Sequence, residues 1–281
     1  MIRYTALFIL AIILASSCTE RIEVQLDTTY TRLVVDGNIE TDTGIYQVRL
    51  TKSADYFANV PAGRVVNATV TLTDGENTFP LHETEPGISG IYETDAGFAG
   101  VAGETYTLQI DMEQEISGNQ SARATCFLPH VTTLDSISTE FYADWGKEGF
   151  WAIKLWAREP GDEVNYYLFN FYRNGILMTD TITEKVVSDD QFYNGSYMKG
   201  VDVVYVNNED TWQTFRPGDT IVLQMSGITK EYYDFINQVD MAGFNIPFFS
   251  GPPANVEGNI SNGGIGFFAA FSNSYAMTVV K

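Results

Sequence analysis

The sequence predicts an all-β protein made of two antiparallel, sandwich-like domains, the second carrying one short packed helix. Three observations lead there: period-2 alternation in nearly every segment, Gly and Asp turns at short spacing, and a single stretch of helical periodicity. Hydrophobic residues make up 44% of the 281 and aromatic residues 14%, which suits packed cores and argues against disorder.

Taken in order, Tyr46, Val48 and Leu50 face one way while Gln47, Arg49 and Thr51 face the other. Ala68, Val70 and Leu72 alternate with polar neighbours up to the Asp74-Gly75 turn, and Tyr106, Leu108, Ile110 and Met112 do the same further on. Residues 31–128 thus read as one immunoglobulin-like β-sandwich punctuated by glycines such as Gly37, Gly87, Gly97 and Gly103. Leu128-Pro129 breaks the sheet pattern and marks the boundary to a second β-rich domain, 129–281. Strands are expected there at 149–158, 165–173, 200–207, 219–225 and 264–271, with Asn174-Gly175 as a hairpin turn. Thr229 can cap a helix over about 230–241, where Tyr232, Phe235, Ile236 and Val239 recur at i, i+3, i+4, i+7 and Glu231 suits the first turn. Pro247, Pro252 and Pro253 then mark a loop.

The N-terminus carries an address. Arg3 followed by an apolar run from Ala6 to Leu14 is a charged n-region and short h-region, so 1–17 reads as a signal peptide. A membrane-spanning helix needs about 20 apolar residues, more than this run supplies. Leu14-Ala15-Ser16-Ser17-Cys18 resembles a bacterial lipobox, which implies lipidation of Cys18 and membrane attachment through it, with residues 18–30 as a polar tether. With Cys18 lipidated, Cys126 has no disulfide partner and is expected as a small buried hydrophobe. A formal net charge of −20 repels phosphate backbones and disfavours nucleic-acid partners.

Candidate chemistry is sparse, and no catalytic constellation is expected. Two histidines, His82 and His130, and one free thiol cannot assemble a Cys/His metal site. Pro86-Gly87-Ile88-Ser89-Gly90 lacks the spacing of a nucleophile elbow, and Asn262-Gly263-Gly264-Ile265-Gly266 lacks the Lys-Ser/Thr of a phosphate loop. Asp189-Asp190 and Asn207-Asn208-Glu209-Asp210 are oxygen donors of the type Ca²⁺ takes, but without a known calcium-loop spacing they read as solvated acidic loops. No metal or cofactor is expected. The aromatics carry more. Trp145, Trp151, Trp156 and Trp212 cluster in the second half with Tyr166, Tyr167, Phe169, Phe171 and Tyr172, and both faces of 149–158 and 165–173 are apolar. Such strands are either buried on two sides or present an exposed aromatic face for a partner or sugar. The four tryptophans are therefore the candidate contact residues.

Leu33-Val34-Val35-Asp36-Gly37-Asn38-Ile39, Val48 to Tyr56, Val66 to Leu72, Gly90-Ile91-Tyr92, Gly103 to Leu108, Asn165 to Phe169, Gly258-Asn259-Ile260 and Gly266-Phe267-Phe268, together with the lipobox, resemble the Bacteroidota lipoproteins grouped as DUF4249. The N-terminal half also resembles carboxypeptidase-regulatory and immunoglobulin-like modules. The resemblance implies a non-enzymatic outer-membrane lipoprotein, working beside a TonB-dependent receptor in nutrient capture; the alternative is a stand-alone carbohydrate-binding or adhesion lipoprotein. Asp27-Thr28-Thr29 resembles the O-glycosylation triplet of the same bacteria, with Thr28 as the modified residue. A hydrolase built on converging carboxylates or calcium is the third reading.

Overall fold

The structure, a computed structural model, describes residues 31–53, 62–161, 163–209, 212–243 and 256–281. The signal-like segment, Cys18, Thr28, the Ala54-Asp55-Tyr56 stretch, Asp210 and the proline-rich loop at 247–253 lie outside the described residues.

The protein is all-β and sandwich-like with one α-helix. Strands β1 (Leu33–Glu40), β2 (Gln47–Lys52), β3 (Thr69–Thr73), β4 (Thr78–Glu83), β5 (Ile91–Glu93), β6 (Thr105–Ile116) and β7 (Asn119–Phe127) make up the first half. The second half contributes β8 (Leu134–Tyr142), β9 (Phe150–Arg158), β10 (Tyr166–Arg173), β11 (Ile176–Leu177), β12 (Val186–Asp189), β13 (Tyr197–Asn207), β14 (Thr220–Ile228), helix α1 (Lys230–Gly243) and β15 (Ile265–Val279). A twelve-stranded sheet runs β11-β10-β14-β15-β1-β2-β5-β4-β3-β6-β7, with β12 also on β10, and a second sheet runs β13-β9-β8.

The alternation read from the sequence maps onto the first core. Val48, Leu50, Val70, Leu72, Tyr106, Leu108 and Ile110 are all buried there, and Tyr46 packs against them. Cys126 belongs to the same core, and burial pushes its thiol up to about 12, so it is protonated at neutral pH. The turns follow local chemistry. Asp74 Oδ1 accepts from the backbone N–H of Glu76 (2.9 Å) and Asn77 (2.6 Å), while Asn174 (φ 52°) and Gly175 (φ 82°) supply the left-handed pair that a two-residue hairpin needs.

β15 is longer than the 264–271 strand that the sequence predicts, and its pairing is not wholly antiparallel. Residues 265–271 pair in parallel with β1, and 272–279 pair antiparallel with β14. Its Phe268 and Ala270 enter the first core, Phe267, Ala269 and Phe271 pack under α1, and Ala276 lies against the second core. The passage at Leu128-Pro129 separates two hydrophobic cores, yet residues 31–281 form one compact unit through this strand.

The other edge, β7, is sealed by side chains. The Asn259 amide donates to Thr125 O (3.2 Å) and Phe268 O (2.7 Å), and its Oδ1 accepts from Phe268 N–H (3.0 Å). Ser261 exchanges two bonds of 2.8 Å with the Arg123 backbone, and Asn262 donates to Ser121 O (2.8 Å). Edge groups that would otherwise template aggregation are thus occupied, and the sheet closes on its own core. The strap fits because Gly258 has no side chain: a Cβ there would lie 1.9 Å from Gly266 O.

In the second half, β13-β9-β8 packs face to face on β10 and β14. Ile153, Leu155 and Val204 meet Tyr167, Phe169, Phe171, Leu223 and Met225. Helix α1 covers the opposite face of β10, β14 and β15 with Tyr232, Phe235 and Ile236. The Thr229 hydroxyl accepts from Tyr232 N–H (3.3 Å), the cap that the sequence predicts. No helix among the described residues is long and apolar enough to cross a membrane.

Replacing Asn259 by alanine orphans the Phe268 amide and removes donors from two carbonyls, so Asn259→Ala is expected to cost about 2–3 kcal/mol. Urea denaturation measures that loss, and hydrogen exchange at the Phe268 amide should accelerate with it.

Candidate functional site

The two apolar-faced strands resolve differently. β10 is buried on both sides: Tyr167, Phe169 and Phe171 face the second core while Tyr166 and Leu168 face α1. β9 has no covering element on its outer side among the described residues, and it carries Ala152, Lys154 and Trp156 there. Register sets Lys154 between Ser138 of β8 and Asp202 of β13, and Ala152 between Glu140 and Tyr205. Bulges on either side of the β13 segment keep Asp202 opposite Lys154.

The result is an aromatic and acidic face. Lys154 Nζ donates to Glu140 Oε2 (2.6 Å) and Tyr142 Oη (2.9 Å) and lies 3.3 Å from Asp202 Oδ1. Tyr142 and Tyr205 both donate to Asp202 Oδ2, at 2.9 and 3.2 Å. The bond to Glu140, then that to Tyr142, holds Lys154 charged well above the ordinary lysine range. Over this network Trp145 stacks on Tyr142 (centroids 4.7 Å apart) and leans on Tyr205 (5.5 Å), with 47% of its surface still exposed.

The other predicted contact residues scatter. Trp156 is half-buried on the same outer face, where its indole occupies the space a Cβ of Gly200 would need. Trp151 turns to the core side, between Phe141 (5.1 Å) and Phe215 (5.8 Å). Trp212 is 60% exposed in the segment between β13 and β14. Trp145 and Trp156 therefore share a face, and Trp151 points away from it into the core. The Asp189-Asp190 pair departs from the solvated loop expected of it: Asp190 is only 2% exposed, because its N–H bonds to Asn165 O (3.1 Å) and draws the loop inward.

A second surface was not visible in the sequence. Between α1 and β1 lies a cleft of about 520 Å³, lined by Asp36, Asn38, Asp180, Lys185, Tyr232 and Phe267 among others. Beyond it a polar ladder crosses β1, β15 and β14. Asn273 Nδ2 donates to Glu40 Oε2 (2.5 Å) and Asp42 Oδ2 (2.8 Å), Asn38 Nδ2 donates to Glu40 Oε1 (2.9 Å), and Tyr275 Oη donates to Asp42 (2.5 Å). Burial pushes the Glu40 carboxyl above its ordinary value, and the neighbouring Asp42 charge adds to it. Burial also lowers the Lys185 ammonium, against the pull of Asp36 and Glu40. The only sequence signal for this cleft was the alternation in 33–40, which sets Val34, Asp36, Asn38 and Glu40 on one face.

Together these features define a large all-β protein with an open aromatic face and a helix-bordered polar cleft. The profile of DUF4249, a domain of unknown function, matches residues 19–275, and the chain belongs to that family. Comparison with curated proteins finds no match. Two segments of the family resemblance have plain structural work: Asn259 straps the sheet edge, and Gly266 (φ 95°) lies where a Cβ would stand 2.0 Å from Val35 O.

Because the native Glu40 binds its proton more tightly than the unfolded chain does, stability attributable to it falls as pH rises from the ordinary glutamate value of 4.5 through its raised native value. Glu40→Gln is expected to flatten that decline in a Tm-against-pH series. Trp145→Ala removes a surface stack and should cost about 1 kcal/mol or less in chemical denaturation.

Proposed function

We propose that this chain is a non-enzymatic, lipid-anchored accessory protein of the bacterial outer membrane, working with a TonB-dependent receptor in nutrient capture. The anchor is the lipobox-like Cys18, and the organism class is that of the Bacteroidota relatives the sequence resembles. The observation that carries the contact role is the face of β8, β9 and β13 that no element covers among the described residues. Trp145, Tyr205 (49%) and Tyr197 (43%) are exposed on or beside a hydrogen-bonded core of Tyr142, Lys154 and Asp202. Exposed tryptophan and tyrosine are the residue types that dominate binding energy at protein interfaces. The acidic surface directs the protein toward neutral or basic partner patches and away from nucleic acid.

A second reading, direct carbohydrate binding, draws on the same place. The Tyr142–Trp145 stack beside the Glu140 and Asp202 carboxylates offers an apolar platform for a sugar ring and acceptors for its hydroxyls.

Cys18→Ser should move the protein from the membrane to the soluble fraction, read by fractionation and by the mass of the mature N-terminus. Co-purification of the tagged protein from outer membranes is expected to recover a TonB-dependent receptor in stoichiometric amount, with Trp145→Ala/Tyr205→Ala weakening recovery at least tenfold. Recovery of the lipoprotein alone, with glycan-dependent quenching of tryptophan fluorescence, would overturn the receptor reading in favour of the carbohydrate one.

A further inference from the structure

The second half contains two buried acids that the proposed function does not use. Glu159 and Asp190 are each only 2% exposed. Tyr167 Oη donates to Glu159 Oε1 at 2.6 Å, but Glu159 Oε2 and both carboxylate oxygens of Asp190 have no hydrogen-bond partner. Among the described residues no lysine, arginine or histidine pairs with either acid. The two acids are near enough that the charge of Asp190 acts on both Glu159 and Tyr167. Burying even one carboxylate without compensation costs several kcal/mol, and two that repel each other cost more.

The surroundings are built. Glu159 N–H donates to Ser196 O (2.9 Å), Gly195 N–H to Pro160 O (3.0 Å), Asp190 N–H to Asn165 O (3.1 Å) and the Asn194 amide to Glu163 O (2.8 Å). The two loops touch at glycines, since a Cβ on Gly161 would lie 2.9 Å from the Gly195 Cα. Asp190 and Tyr167 line a cavity of about 240 Å³ between β10, β12 and β13.

We propose that Glu159 and Asp190, with the Tyr167 hydroxyl, form a buried binding site for a hard divalent cation, Ca²⁺. The donors are all oxygen, with no sulfur or imidazole among them, which is the set calcium takes. No group of three acid, histidine or cysteine side chains converges among the described residues, so the remaining positions fall to backbone carbonyls and water. Two carboxylates place the affinity with the weak extracellular calcium modules, at about 10⁻⁴–10⁻³ M. The cation neutralises the pair and ties the end of β9 at Glu159 to the 189–196 loop, behind the strands that carry the aromatic face.

The test is thermal unfolding of the full chain in 10 mM CaCl₂ against NaCl of equal ionic strength, which controls for screening of the −20 charge. Calcium is expected to raise Tm by roughly 3–8 °C beyond NaCl. The shift should vanish in Asp190→Asn and Glu159→Gln and persist in Glu76→Gln, an exposed acid on the β3–β4 turn. Should the buried-acid variants fail to fold, Tb³⁺ luminescence sensitised by the wild-type aromatics and displaced by Ca²⁺ gives an independent readout. A wild-type shift no larger than that in NaCl, an equal shift in Asp190→Asn, or no Ca²⁺-displaceable Tb³⁺ signal would each overturn the site.

Discussion

The pairing of β15 with both β1 and β14 is the constraint on which the rest of the molecule depends. One strand feeds apolar side chains into the first core, into the layer under α1 and against the second core. Its two faces alternate along its length, so a register slip of one residue would exchange Phe268 with Phe267 and unmake two clusters together. Gly266 permits the parallel approach to β1, and the Asn259 strap holds the same strand against β7. The curved first half therefore closes on a strand that belongs, in chain order, to the second.

That economy shapes where binding surfaces arise. With α1 on one side of the sheet and β13-β9-β8 on the other, the second half leaves open, among the described residues, the outer side of the small sheet and the cleft beside the helix. Both combine aromatic rings with acids held by side-chain donors. In the first, Lys154 donates to Glu140 and Tyr142 and pairs with the Asp202 carboxylate, which sets the exposed rings of Trp145 and Tyr205 over a charged network. In the second, Asn273 bridges two carboxylates that would otherwise repel. A chain of net charge −20 must manage such repulsion throughout, and it does so mostly with amide and phenol donors because only 16 lysines and arginines are present.

Much of the fold was legible. Alternation assigned the buried faces of β2, β3 and β6 correctly because one side of each is solvated, and the 3.6-residue spacing of Tyr232, Phe235, Ile236 and Val239 located α1 with its Thr229 cap. Strands apolar on both faces were ambiguous for the same reason: β9 and β10 look alike in sequence, yet α1 covers only β10. Of the candidate contact residues, Trp145 and Trp156 reached a common face, while Trp151 followed the inward phase of β9 into the core. Glu40, Asp42, Asn273 and Tyr275 could not be grouped beforehand, because some 230 residues separate the partners in the chain.

The sequence by itself determined the class, the turns, the helix and the family, since those rest on local periodicity, on backbone preference and on short segments that need no partner to be recognised. Only the tertiary structure decided which apolar faces stay open, which acids are buried and which strand joins the two cores. Those outcomes depend on non-local pairing, and a residue such as Asp190 reads as a solvated loop acid until the chain around it shows that Asn165 has drawn it inside.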